Sequence, residues 1–403
     1  MRYVAVLLAL WLVAGCTALP PVAGASTAAG STPTATPSAK PTATATKRPH
    51  ASSPTALGPA TTSPPTIALP SATPAPTVAQ MIGQKLVVRM NGLTPSASLL
   101  GRIRRGEVGG VILFGANITT RTALIALTGK LRAAAAAGGQ PPLLIAVDQE
   151  GGSIKRIPWA PPTLSPPEMG ANGKASVAHD QGAATGKALL GLGINVDLAP
   201  VADVPSSKSS FMYLDGRTFS FSAIKTALLS DAFASGLESE GVVPSMKHFP
   251  GLGRALANSD RNVVTIRASK STLASGLLPY QAAIGHHIPM IMLSNATYTA
   301  YDAENAAGWS HAISVGLLRD QLGFTGVTIT DSLDGTAAAR QIAPWRLAVR
   351  AARAGTDMIL TTGSEASTQR LYDNLLGTAN LRTFPRATLR ASYDRILAMK
   401  AGL

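Results

Sequence analysis

The sequence has a single cysteine, Cys16, in 403 residues. One thiol excludes an internal disulfide framework, a cysteine-ligated zinc cluster and a cysteine-held iron–sulfur centre. Acidic residues are missing from residues 1–77, where the only charges are Arg2, Lys40, Lys47 and Arg48. No collagen period, sustained heptad or helical repeat occurs, which removes fibrous and solenoid architectures. A dense basic run and an aromatic-rich RNA-binding motif are also lacking. The net charge of +14 could favour anionic cell-wall polymers or membrane surfaces, but no nucleic-acid partner is expected. Carboxylates and histidines do not gather at zinc or calcium-loop spacing, so no metal is expected. Nucleotide and flavin motifs are absent too, and no cofactor is expected. What is present is a 46% hydrophobic chain, enough to bury a sizeable core.

The first part reads as address and tether. Met1–Arg2 is a short positive region, and Tyr3–Val13 is an apolar run too short for a comfortable membrane span. It ends in Val13-Ala14-Gly15-Cys16, small residues before a cysteine, as a lipoprotein signal peptidase requires. Residues 1–16 are therefore expected to be a lipoprotein signal ending at Cys16, the lipidation site. The mature chain would then be anchored on the outer face of a cytoplasmic membrane. Residues 17–77 are almost entirely Ala, Ser, Thr and Pro. Such a segment cannot bury enough apolar surface to offset its folding entropy, and a disordered stalk is expected.

Residues 78–403 are globular in composition. Strand-like runs recur at Lys85–Met90, Val108–Phe114, Leu143–Asp148, Asn195–Ala199, Val242–His248, Ile288–Ser294, Gly326–Asp331 and Thr356–Leu360. Helical patterns such as Arg121–Ala137, Ser222–Glu240 and Ala337–Ala354 lie between them. Short buried strands separated by helices imply a parallel sheet with right-handed crossovers. Eight of them suffice for a (β/α)8 TIM barrel, an α/β fold of a single domain. A doubly wound open sheet is the alternative, weakened by the lack of a G-x-G-x-x-G after the first strand.

Polar residues gather where these runs end: Asp148, Gln149 and Glu150, then Lys247 and His248, Asn295, and Asp331. In a barrel the C-terminal strand ends open into one pocket, so these distant residues would converge.

The motifs themselves carry a resemblance. Ala146-Val147-Asp148-Gln149-Glu150-Gly151-Gly152 with Arg156, Gly193 to Asp203, Gly216-Arg217-Thr218-Phe219-Ser220, Lys247-His248-Phe249-Pro250-Gly251 and Gly323 to Leu333 occur in order. Together they resemble glycoside hydrolase family 3, in particular its bacterial β-N-acetylglucosaminidases (β-N-acetylhexosaminidases). The resemblance implies a retaining hydrolase acting on N-acetylglucosamine-containing cell-wall (peptidoglycan) fragments, with no helper but water. Asp331 matches the family nucleophile. Asp148, Arg156, Arg217, Lys247 and His248 match its sugar-binding positions. Glu150 and Gly151-Gly152 are read as loop architecture. The second sandwich domain of larger members is not expected, and a monomer is.

One departure bears on the chemistry. The acid/base of this group is a histidine paired with an aspartate on the loop after the fifth strand, within Lys-His-Phe-Pro-Gly-His-Gly and a following Asp-Ser-His. Here Leu252 replaces the first histidine, and Asn258-Ser259-Asp260 replaces the triplet. The six histidines are His50, His179, His248, His286, His287 and His311, none of them in that loop. Asp260 is the substitute acid on offer. It would need a carboxyl raised by desolvation or a nearby carboxylate, whereas Arg261, if close, would depress it. Ser153 and Asn295 stand where relatives carry arginine and histidine. The functions open to the sequence are a working β-N-acetylhexosaminidase, a catalytically impaired lipid-anchored glycan-binding relative, and a structural envelope protein.

Overall fold

A computed structural model describes residues 75–381 and 384–403. The expected signal with Cys16, and residues 17–74 of the expected stalk, lie outside the described residues. Eight parallel strands form one sheet. They are β1 (Leu86–Arg89), β2 (Gly110–Ile112), β3 (Leu144–Val147), β4 (Val196–Asp197), β5 (Val243–Phe249), β6 (Met290–Leu293), β7 (Val327–Thr330) and β8 (Ile359–Thr361). Leu86 pairs with Ile359, joining β1 to β8, and the bridge Ile329–Met358 joins β7 to β8. The sheet is therefore a closed barrel, and the open doubly wound alternative is set aside.

The strands are nearly wholly buried because both faces are covered. Side chains alternate along each strand. Val87, Ile112, Ala146, Met292, Ile329 and Leu360 fill the barrel interior, while the opposite faces pack against helices. The helix expected at Arg121–Ala137 forms over those residues, capped by the Thr120 hydroxyl. The helix expected at Ser222–Glu240 runs Ala223–Ser239, with Ser222 accepting the Lys225 N–H as its cap.

Two expectations are corrected. The single helix at Ala337–Ala354 is two helices, Leu333–Ala339 and Pro344–Arg353. Gln341 takes a left-handed φ of 54°, and Pro344 lacks the N–H that a continuing helix would need. The eighth strand starts later than Thr356, because Thr356 and Asp357 are engaged below the barrel. Thr356 Oγ1 donates to Gly308 O, and the buried Asp357 carboxylate accepts from Arg319, Arg395, Ser392 and Thr328. Burial alone would raise that carboxyl, but the two guanidiniums hold it below its ordinary range. The C-terminal helix Arg386–Lys400 supplies Ser392 and Arg395 to this knot. It also sends Lys400 Nζ to Gln84 Oε1 and Gly109 O, each at 2.7 Å.

Candidate active site

Strand alternation places the chemistry. Two residues beyond five of the inward-facing core residues lie Arg89, Phe114, Asp148, Asp331 and Thr362, which belong to the next inward layer, at the C-terminal mouth. All but Arg89 line a cleft of about 480 Å³, together with Glu150, Arg156, Arg217, Lys247, His248, Asn258 and Asp260. Every residue of the described chain that the sequence nominated for catalysis or sugar binding is thus at one cleft.

The cationic side of the cleft is held by a carboxylate that the sequence reading treated as loop architecture. Glu150 is buried, accepts two hydrogen bonds from Arg217 at 2.7 and 2.9 Å, and pairs with Lys247 Nζ at 2.7 Å. Burial would raise its carboxyl, but Arg217 and Lys247 outweigh that and hold it at about 2. Lys247 Nζ also donates to Asp148 Oδ1 at 2.6 Å. Burial would lower the lysine, and the two carboxylates raise it instead. Beneath them, Asp197 Oδ1 accepts the Gln149 N–H at 2.9 Å. Burial pushes the Asp197 carboxyl up to about 8, which disfavours a further negative charge beside Lys247.

His248 is fixed from behind. Its Nδ1 lies 2.8 Å from Asp203 Oδ2, and Asp203 Oδ1 accepts the backbone N–H of Leu252. The Asp203 contact fixes the orientation of the imidazole at the cleft. Asp203 was visible only as the last residue of a matched segment, with no signal of this role. Leu252, standing for a histidine in the resemblance, is buried in the apolar cluster behind the loop.

The loop after β5 then brings Asp260 to the cleft. Asn258 Oδ1 accepts the Asp260 N–H at 2.8 Å, an Asx turn that shapes the backbone. Gly335, on the helix following Asp331, lets the loop come close: a Cβ there would lie 2.2 Å from the Asp260 carbonyl oxygen. Asn295 Nδ2 donates to Ser332 O at 2.8 Å and reaches Asp260 Oδ1 at 3.4 Å. Ser332 N in turn donates to Asp331 Oδ1 at 2.7 Å. Burial, then the neighbouring Asp331 carboxylate, push the Asp260 carboxyl up to about 7, against smaller pulls from His248, Asn295 and Arg217. The depressing influence expected of Arg261 does not set the outcome. That residue is exposed to solvent, while Asp260 faces Asp331.

Residues 77–399 match the glycosyl hydrolase family 3 N-terminal domain. The chain belongs to glycoside hydrolase family 3. An uncharacterized secreted glycosyl hydrolase of Arthroderma benhamiae is 31% identical over 334 residues, covering 81% of this chain and 94% of its own. The structure of a family 3 β-N-acetylglucosaminidase from Paenibacillus sp. str. FPU-7 superposes with a TM-score of 0.77 at 29% identity. That match covers 81% of this chain but only 63% of the Paenibacillus one. A β-N-acetylhexosaminidase from Beutenbergia cavernae gives a TM-score of 0.75 at 30% identity, covering 81% of this chain and 99% of its own. The family 3 barrel described here is thus a glycoside hydrolase domain of the β-N-acetylhexosaminidase type. Among its described residues no group of three or more His, Cys, Asp or Glu side chains is arranged to hold a metal ion.

Proposed function

We propose that this family 3 domain is a retaining β-N-acetylhexosaminidase acting on N-acetylglucosamine-containing cell-wall fragments, with Asp331 as nucleophile and Asp260 as acid/base. The observation that carries the reading is the placement of both carboxyls in one cleft, where burial and the Asp331 charge raise Asp260. Double displacement needs one carboxylate that attacks and one carboxylic acid that protonates the departing oxygen. Asp331 Oδ1 is held by the Ser332 N–H, which leaves its second oxygen for the anomeric carbon. Asp260, protonated, gives its proton to the glycosidic oxygen as that bond breaks.

The same electrostatics serve the second half. Once Asp331 is esterified its negative charge is gone, and one of the two main influences raising Asp260 goes with it, while burial remains. The Asp260 carboxyl is then lowered, which favours the ionised form that takes a proton from the attacking water. Asp148, Arg156, Arg217, Lys247 and His248 would grip the sugar hydroxyls, with Glu150 and Asp203 holding the donors in place.

Hydrolysis of p-nitrophenyl N-acetyl-β-glucosaminide by the purified protein tests this, with the anomer of the first product followed by NMR. Turnover giving the β-anomer is expected. Glycan binding without turnover would sink the proposal in favour of a catalytically inert glycan-binding protein. The acid's seat has its own test. Gly335→Ala drives a methyl group into the Asp260 carbonyl, so disaccharide cleavage should fall by about 10²-fold or more while p-nitrophenyl glycoside turnover stays within a few-fold. Equal losses on both would argue against Asp260.

Anchoring at Cys16 on the outer membrane face is part of the same proposal. It rests on Val13-Ala14-Gly15-Cys16 and agrees with a relative described as secreted. Cys16→Ser should move the protein out of the membrane fraction; unchanged fractionation would refute the anchor.

A further inference from the structure

The inward layer at the barrel mouth contains one charged residue that the scheme above does not use. Arg89 ends β1, two residues after the interior Val87. It therefore faces inward, between Phe114 beyond β2 and Thr362 beyond β8, both of which line the cleft. Its guanidinium lies 5.2 Å from the centroid of the Phe114 ring. The Arg156 guanidinium sits 5.6 Å from the same centroid. Both Nε atoms are buried without a hydrogen-bond partner.

Charge pairing does not account for these two cations. Among the described residues, Arg89 has no carboxylate within salt-bridge distance. Arg156 has only Asp148, at 3.7 Å, and that carboxylate already takes Lys247 at 2.6 Å. Elsewhere in the cleft the matching is tight, as Arg217 with Glu150 shows. Stacking on an aromatic ring orients a guanidinium but supplies no acceptor for its N–H groups. A half-buried guanidinium without an acceptor is a standing desolvation cost that a bound anion relieves. Its planar fork suits an oxyanion that accepts two hydrogen bonds. The position fixes which part of a substrate would carry that anion. Arg156 lines the cleft beside Asp148 and Arg89 shares its Phe114 ring, so the pair lies on the Asp148 side of the site where the bond to Asp331 would form.

We propose that Arg89, Arg156 and Phe114 form a subsite for an anionic substituent on the transferred amino sugar, a carboxylate or a sulfate or phosphate ester. The proposal rests on the reading of this cleft as the sugar site and adds to it a preference for acidic over neutral N-acetylhexosamines.

The test is calorimetric titration of the full chain with four probes. They are N-acetylglucosamine, a carboxyalkyl ether of it, its 6-sulfate, and sodium sulfate alone. At least one of the two acidic sugars should bind about tenfold or more tighter than the neutral one, the worth of a charge-assisted hydrogen bond. The two acidic probes separate carboxylate from ester. Arg89→Gln should erase the preference while leaving affinity for the neutral sugar and the thermal midpoint unchanged. Arg89→Lys should keep part of it, retaining charge without the planar fork. Equal affinity of the wild type for neutral and acidic sugars would overturn the subsite and leave the cleft's assignment standing. A parallel loss of neutral and acidic sugar binding in Arg89→Gln would reduce Arg89 to a packing role. Sulfate alone binding as tightly as the sulfated sugar would leave an adventitious ion only. Failure of every sugar to bind would refute the sugar site and this subsite together.

Discussion

Asp331→Asn should abolish hydrolysis of p-nitrophenyl N-acetyl-β-glucosaminide, by about 10⁴-fold or more, as expected when the group that bonds to the reacting carbon is removed. The aryl leaving group departs with little help, so this substrate isolates the attacking step from the proton-donating one. Asparagine can still accept the Ser332 N–H that holds Asp331 Oδ1, so the turn and the sugar affinity should survive. A second readout accompanies the loss. The Asp331 charge is one of the two main influences raising the Asp260 carboxyl to about 7, and in the variant that carboxyl should titrate at lower pH. Carbonyl-carbon NMR of the aspartates would follow it. Surviving turnover in Asp331→Asn would count against the whole retaining scheme.

Asp260→Ala should separate substrates by leaving group. General acid catalysis is worth about 10²–10⁴-fold, so disaccharide cleavage should fall by that factor while the aryl glycoside loses far less. The pH profile supplies the sign. An acid catalyst acts in its protonated form, so wild-type cleavage of the disaccharide should decline as pH rises through about 7, the value to which Asp260 is raised. The declining limb should be missing from the residual activity of the variant. Equal losses on both substrates, or an unmoved limb, would remove Asp260 from the mechanism.

Much of this was legible in one dimension. Each barrel strand falls within or beside a mostly apolar run bounded by turn residues, because strands buried on both faces are predominantly apolar. The strand-end polar residues were legible as a site, since a barrel gathers its C-terminal ends. The state of Asp260 was not. Its immediate neighbour Arg261 suggests a depressed carboxyl, whereas the neighbour that dominates is Asp331, distant in sequence and brought close by Gly335 and Asn295. Glu150 and Asp203 were overlooked for a related reason. Each acts through another side chain, and nothing in sequence spacing marks which lysine, arginine or histidine a buried carboxylate will hold.

The knot beneath the barrel also bears on how the molecule comes to exist. β1 finds its second neighbour only in β8, with Leu86 paired to Ile359. The base of β1 is further fastened by Lys85 to Ser392 and by Lys400 to Gln84. Until Ser392 to Lys400 has left the ribosome, the opening strand has one free edge and Asp357 lacks Arg395. Contacts of such long sequence separation form late and slowly. The barrel is thus latched by its last described helix, and its final shape waits on residues more than 300 positions away from the strand they fasten.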